Sequence, residues 1–383
     1  VTIRLLLLVG LALALTTALH AQQGETAPSN AELARRIDLL SESMDPLSHD
    51  GDSNQLSIGG YGEVTYRNFA ATTDGGAPSD MADEFDLHRL VLYLGYRFDD
   101  TWSFHSEIEY EHTNQLSVEF AQIDGHFSDV LNFRGGNLLI PMGFINQNHE
   151  PTTFWSAQRP LVERFIIPTT WNENGAGTFG QAGDFKWQAY LVNGFEAAGF
   201  EPATSGLRQG RQGGGQATAE DFAFTGRFDW RGIEGLLLGA SFYQGNSGQS
   251  STVNDFGVSL FDIHAQYDHG PLRLRFLYAD ATINDAALLN TPSPSDSLVG
   301  WYFEGGYDVL AGHESGQSLT PFVRFENFDL LDATAASTDV DVLVLGLAWQ
   351  PQENIIFKLD FQNQSTDADT TVDTIEFTLG WSF

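Results

Sequence analysis

From Gln55 to the end of the chain, apolar and polar residues alternate with period two in one run after another. Leu56, Ile58, Val64 and Tyr66 are set against Ser57, Tyr61, Glu63, Thr65 and Arg67. Trp102, Phe104, Ile108 and Tyr110 are set against Ser103, His105, Glu107, Glu109 and Glu111. Phe222, Phe224, Phe228 and Trp230 face Thr225, Arg227 and Asp229. The last two runs pair Phe357, Leu359 and Phe361 with Lys358, Asp360 and Gln362, and Ile375 to Phe383 with Glu376, Thr378 and Ser382. Period two means a strand with two unlike faces. When the polar face carries several charges per strand, that face needs water or partners, and the apolar face is free to meet lipid. A strand in lipid must have both backbone edges paired, so only a closed barrel satisfies this pattern in a membrane. The fold class read from the residues is therefore all-β: a transmembrane antiparallel β-barrel.

Sixteen strands are expected, near 55–69, 85–98, 101–112, 115–126, 130–143, 175–182, 184–194, 219–231, 235–245, 254–268, 271–283, 298–310, 318–329, 339–350, 354–364 and 373–383. Connection lengths support the count. Those at Asp99-Asp100, Ser128-Asp129, Gly183-Asp184, Gly232–Gly235, His269-Gly270 and Pro351-Gln352 are short. Those over 70–84, 144–174, 195–218, 284–297, 329–338 and 365–372 are long, as for periplasmic turns and extracellular loops. A paired error would preserve this alternation, so fourteen and eighteen strands stay open. Arg67, Arg89, Arg97, Arg134, Lys186, Arg227, Arg273, Arg275, Arg324 and Lys358 all fall on polar parity; at the lipid midplane each would cost ~2–4 kcal/mol.

Three segments are expected: a signal peptide over 1–21, a periplasmic stretch over 22–54, and the barrel over 55–383. Arg4, the apolar run Leu5–Leu15 and small residues up to Ala18 or Ala21 match a cleaved export signal. Leu33, Ile37, Leu40, Met44 and Leu47 are spaced four, three, four, three, the seam of a short heptad helix. It reads either as a coiled coil aiding trimer assembly or as a single amphipathic helix near the barrel mouth. The closing strand ends on Phe383, as in the signal read by the bacterial outer-membrane assembly machinery. The expected location is the bacterial outer membrane, with its lipid and lipopolysaccharide as surroundings.

The chain has no Cys, so disulfides and thiolate metal sites are excluded. With 51 Asp+Glu against 18 Lys+Arg, nucleic acid is not an expected partner. No cofactor or metal site is expected. The acidic loops, among them Asp74, Asp80, Asp83, Asp285, Asp296 and Asp367, read as a solvated surface or as bridges to anionic headgroups through divalent ions.

The segment 139–177, LIPMGFINQNHEPTTFWSAQRPLVERFIIPTTWNENGAG, follows Arg134-Gly135-Gly136. It resembles the phosphate-selective porin O and P family, as do TPFVRFE at 320–326 and LGLAWQPQENIIFKLDFQ at 345–362. The resemblance spans most of 55–383 and implies a sixteen-stranded trimeric porin with anion-binding residues along each channel. The third extracellular connection, 144–174, is the longest; in porins generally such a loop folds into the barrel and narrows it, and Asn146, His149, Glu150, Arg159, Glu163, Arg164 and Glu173 would be its polar members. Arg159 and Arg164 would then face an entering solute; alternatively Arg159 and Glu163, four apart, pair on a short helix. The candidate solute contacts are Arg134, Arg159, Arg164, Arg227, Arg273, Arg275, Arg324, His149, Glu150 and Glu163. The family's dense inward Lys and Arg are missing. Lys occurs only at 186 and 358, and the inward arginines are matched by Glu63, Glu107, Glu109, Glu119, Asp229, Asp262, Glu304, Glu326, Asp360 and Glu376. Phosphate specificity is therefore not carried over.

The expectation is a non-enzymatic porin for small hydrophilic solutes, with anions such as phosphate among the candidates. A transporter of apolar substrates such as fatty acids would need a greasy internal path. A barrel hydrolase would need a nucleophile near the acid–histidine pairs Asp262/His264 and His105/Glu107. A structural or adhesive barrel without conduction is the remaining class.

Overall fold

The computed structural model describes residues 55–249, 254–313, 316–332, 334 and 339–383. The expected signal peptide and heptad helix lie outside the described residues. The sixteen strands are β1 (Leu56–Phe69), β2 (Glu84–Arg97), β3 (Trp102–Glu111), β4 (Gln115–Gly125), β5 (Asn132–Leu139), β6 (Asn172–Ala182), β7 (Phe185–Asn193), β8 (Phe222–Ile233), β9 (Leu236–Gly245), β10 (Val258–His269), β11 (Leu272–Ile283), β12 (Ser297–Tyr307), β13 (Ser318–Asp329), β14 (Val340–Gln352), β15 (Ile355–Thr366) and β16 (Thr374–Ser382). Each pairs antiparallel with its sequence neighbours, and β1 pairs with β16, from Tyr61 opposite Ser382 to Phe69 opposite Thr374. The result is one closed barrel of sixteen strands, and it decides between the counts left open by loop length.

Alternation sets the two faces. On β10, Phe261 and Ile263 are exposed on the outside, while Asp262 and His264 are buried inside. The charged residues on polar parity point into the barrel, where cross-strand neighbours neutralise them. Arg67 pairs with Glu376 at 3.3 Å, Arg89 with Glu63 at 2.9 Å, and Arg273 with Asp268 at 2.6 Å. Such pairs support the ladder, because residues directly opposite on one face approach closely.

Most connections at one end are tight. Gly183, Gly235 and Gly270 take φ of +59°, +76° and +56° in three of them, a left-handed conformation that a Cβ disfavours. The ten-residue scale of the 308–317 connection is the exception at this end, and the 112–114 turn is the exception at the long-loop end.

Two features depart from simple alternation. Glu107 is opposite Phe120 and Ile108 is opposite Val118, so Glu119 is an extra residue in β4. This β-bulge turns both Glu119 and Phe120 inward, where both are buried. β5 also stops at Leu139 rather than 143, and β6 starts at Asn172 rather than 175. Pro141 has no N–H to donate to a ladder, and the chain leaves the wall there.

The apolar-out, polar-in alternation expected of the strands does not hold at every inward position. The inward residues Val258, Leu260, Ala279, Ala281, Ile283, Leu298, Val342 and Val344 are apolar and buried in one cluster with Phe154, Val162, Ile166, Ile167 and Trp171. The physical reason is that these wall positions face protein rather than water. The segment 140–171, called here the lumen loop, fills the barrel beside them.

Candidate functional site: the lumen loop and its arginines

The lumen loop carries an apolar ridge and a polar ridge. Ile166, Ile167 and Trp171 are fully buried, and Trp171 stacks on Phe195 at 4.5 Å between ring centroids. Phe195, Phe200 and Leu207 belong to a second inserted segment, the cover loop (194–221), which lies against the first. Arg211 of the cover loop donates to the carbonyls of Pro168 and Thr170. Within the lumen loop, Asn146 donates to Ile140 O and Trp171 O and accepts from Trp171 N, closing the loop's base. A four-residue helix, α1 (Val162–Phe165), forms its far limb.

The polar ridge is anchored around much of the barrel wall. Gly143 N donates to Asp262 of β10, and Arg227 of β8 donates to Gly143 O. Ala157 N donates to Asp360 of β15, and Gln158 donates to Glu376 of β16. Val162 N donates to Glu326 of β13. Lys358 donates to Ser156 O and sits 3.6 Å from the Phe154 ring centroid.

These contacts define where the expected site residues go. Arg324 is wholly buried. It bonds Glu326 at 2.8 Å, lies 3.4 Å from Glu304, and donates to Ser156 Oγ and to Gln158 O of the loop. Arg275 donates to Gln266 and to Thr153 O. Arg273 is held by Asp268 and lies over Trp155. Arg227 is shared between Asp229, His264 and Gly143 O. Arg134 forms a two-point contact with Asp124, at 2.8 and 2.7 Å. The wall arginines therefore hold acids and the loop rather than presenting free donors.

Glu163 does not pair with Arg159. Arg159 precedes α1, and Glu163 turns to the opposite wall, accepting from Tyr302 of β12 at 2.6 Å and from Ile145 N at 2.8 Å. Burial pushes its carboxyl up to about 7, against the two hydrogen bonds. Glu150 accepts from Tyr93 of β2 at 3.0 Å. His149 lies between Glu107 and Glu119, with Nε2 3.0 Å and 3.5 Å from their oxygens. Burial alone would lower its affinity for a proton, but Glu107 and then Glu119 outweigh burial and hold it at about 9.

Arg159 and Arg164 are different from the wall arginines. Arg164 is exposed, and Arg159 is anchored only by donation to His149 O at 3.3 Å, its buried Nε having no hydrogen-bond partner among the described residues. The cover loop adds Arg208 and Arg211, which sequence reading missed. Arg208 Nη1 is likewise buried and unpartnered among the described residues. Burial, and then repulsion from Arg211, Arg164 and Arg159, pulls Arg208 below the ordinary arginine range. A guanidinium keeps its proton in a protein, so this downward pull marks positive charge lacking an anion. The available signal was Leu207-Arg208-Gln209-Gly210-Arg211, the two cations of an otherwise Gly- and Ala-rich loop.

The acid–histidine pairs are committed. His264 has Asp262 at 2.6 Å on Nδ1 and Asp229 at 3.0 Å on Nε2, leaving neither nitrogen for a nucleophile. Ser103 Oγ is 3.0 Å from His105 Nε2, but Ser103 is fully buried.

A protein of Aquifex aeolicus (strain VF5), described as uncharacterized, is 33% identical over 355 residues, covering 86% of this chain and 80% of its own length. This chain belongs to its family. No family model matches the chain. Solved structures with a similar shape include the anion-selective porin from Comamonas acidovorans, at 11% identity and TM-score 0.56, covering 86% of this chain and 99% of that one. Salmonella typhi OmpF in complex with daunomycin matches at 11% identity and TM-score 0.59, covering 86% and 97%. The trimer form of OmpT, an outer membrane protein of Vibrio cholerae, matches at 10% and 0.54, covering 87% and 100%. At these identities the likeness is one of fold alone: a closed antiparallel barrel.

Proposed function

We propose that this protein is an outer-membrane channel for small hydrophilic solutes, with a preference for anions set by Arg159, Arg164, Arg208 and Arg211. The observation that carries this reading is the group of loop arginines within electrostatic reach of one another, two of them with unpartnered donors. Arg67, Arg89, Arg134, Arg227, Arg273 and Arg324 each have a carboxylate partner, and Arg275 is taken by Gln266 and Thr153 O. Rings of Arg favour anions in pores, and a planar guanidinium suits carboxylates and phosphates. The resemblance of 139–177 to phosphate-selective porins makes phosphate the first oxyanion to test. A homotrimer is part of the proposal, on the analogy of the OmpT trimer form.

A transporter of apolar substrates is supported by the apolar interior. Those apolar surfaces are consumed by loop packing, however, with Ile166, Ile167 and Trp171 fully buried. The engaged His264 and buried Ser103 favour a conduit over a hydrolase.

Purified protein in a planar bilayer under a salt gradient tests the reading. Discrete conductance steps with an anion-favouring reversal potential are expected, together with block by added phosphate. Replacing Arg159, Arg164 and Arg208 by Ala should lower the anion/cation permeability ratio several-fold. Absence of steps, or a ratio indifferent to the triple replacement, would reject it.

A further inference from the structure

We propose that Glu107, Glu119 and His149 form a divalent transition-metal site that ties the lumen loop to β3 and β4. His149 comes from the loop, Glu107 from the regular part of β3, and Glu119 from the β4 bulge, which turns its side chain inward beside Phe120. One ligand atom from each lies within 4.8 Å of the others. Two ligand atoms each ~2.1 Å from a tetrahedral ion stand about 3.4 Å apart. The observed separations from His149 Nε2 are 3.0 Å and 3.5 Å.

Each ligand is also oriented by a second group, as metal ligands commonly are. His149 Nδ1 faces Asn146 O at 3.1 Å, a partner that needs the Nδ1 proton, so Nε2 is the nitrogen that would give up its proton to bind a metal. Tyr61 OH donates to Glu107 Oε1 at 3.2 Å, and Thr170 Oγ1 donates to Glu119 Oε1 at 2.7 Å. Glu107 Oε1, the oxygen 3.0 Å from His149 Nε2, is thus shared with Tyr61, and Glu119 Oε1 is taken by Thr170, which leaves Glu119 Oε2 facing Nε2 at 3.5 Å. The other oxygens, Glu107 Oε2 and Glu119 Oε2, are buried and have no hydrogen-bond partner among the described residues. All three ligand residues are more than nine-tenths buried.

Carboxylates outnumber cations around the site. Glu63, Glu107, Glu109 and Glu119 share this layer with Arg89, Arg159 and His149; the next cation, Arg211, faces Glu173 as well as Glu119. Glu109 and Glu119 lie close enough to repel each other when both are charged. Imidazole with carboxylates suits Zn2+ and its transition-metal neighbours, whereas Ca2+ takes six to eight oxygens. A second histidine cluster, Asp86, His88 and His112, stands at the long-loop rim. Its Asp86–His112 distance of 2.6 Å is that of a hydrogen bond, and His112 is exposed.

The test uses the folded full chain in detergent, stripped with a chelator and titrated with Zn2+ by calorimetry. One tight Zn2+ per chain is expected. Glu119→Gln and His149→Gln should each weaken it more than ~100-fold, Tyr61→Phe by ~10-fold or more, and His112→Ala should leave it unchanged. Bound Zn2+ should slow tryptic cleavage after Arg164 in the unaltered chain and not in the two ligand variants. Should those variants fail to fold, the graded loss in Tyr61→Phe carries the test. No stoichiometric binding, binding that survives both ligand variants, or binding lost with His112→Ala would overturn the site. The measurement needs no conduction, so its failure and that of the channel reading are separate outcomes.

Discussion

The lumen loop meets two arcs of the same wall in opposite ways. Against β10–β14 it buries Val162, Ile166 and Ile167 on Val258, Leu298, Val342 and Val344, with one fully enclosed Arg324–Glu326 pair. Against β2–β4 it sets His149 and Glu150 on Glu107, Glu119 and Tyr93. Apolar burial is worth ~25 cal/mol per Å2 and changes little with pH or ions. A contact among buried titratable groups depends on which of them hold protons. The loop is thus fixed on one side by packing and on the other by chemistry that the surroundings can alter.

The largest effect should come from breaking the packed side. Trp171→Ala removes a fully buried ring that stacks on Phe195 and touches Tyr243. A loss of ~3–5 kcal/mol is expected, independent of pH. Denaturant unfolding checks it, and a loss below ~1 kcal/mol would mean that the apolar cluster of Trp171 with Phe195 of the cover loop and Tyr243 of β9 does not hold the loop.

The charged side should yield a smaller and pH-dependent loss. His149 is held at about 9 when folded, above its ordinary value of 6.5. Its contribution is therefore complete below pH 6.5 and is lost as pH rises through about 9, by up to ~3 kcal/mol. In chelator-stripped protein the urea midpoint should fall between pH 6.5 and pH 9.5, and the fall should vanish in His149→Gln. An identical fall in that variant would move the effect elsewhere. Zn2+ should flatten the profile, because the ion takes the neutral imidazole that rising pH provides.

The smallest effect on stability belongs to the residue between the two arcs. Arg164 is exposed and lies over Phe165. Arg164→Ala should change stability by less than ~0.5 kcal/mol while still shifting the reversal potential toward cations. A stability loss above ~1 kcal/mol would make Arg164 a brace like Arg324 instead.

The barrel was legible because its signal is local. Alternation along each strand, tight turns at one end and a charged inner parity need no knowledge of partners, and they located all sixteen strands to within a few residues. The bulge at Glu119 was not legible, because one inserted residue leaves clean alternation on either side and changes only which face follows. The roles of the inward arginines were illegible for a related reason. Parity places Arg324 inside, but whether it faces water or Ser156 depends on a loop some 160 residues distant. The loop's apolar residues Phe154, Trp155, Ile166, Ile167 and Trp171 are plain in the sequence, and in the structure they pack into the barrel's apolar cluster. The Arg208 and Arg211 pair became meaningful only once the cover loop was seen to lie on the lumen loop.

A cylinder of hydrogen-bonded strands resists stretching around its girth, yet it can flatten into an oval by small rotations between neighbouring strands. The lumen loop spans the bore, with Gly143 on Asp262 at one side, Gln158 on Glu376 at another and His149 on Glu107 at a third. It therefore acts as a set of tie rods that hold the cross-section round. Cutting one tie would leave the wall's hydrogen bonds intact and free its cross-section to flatten.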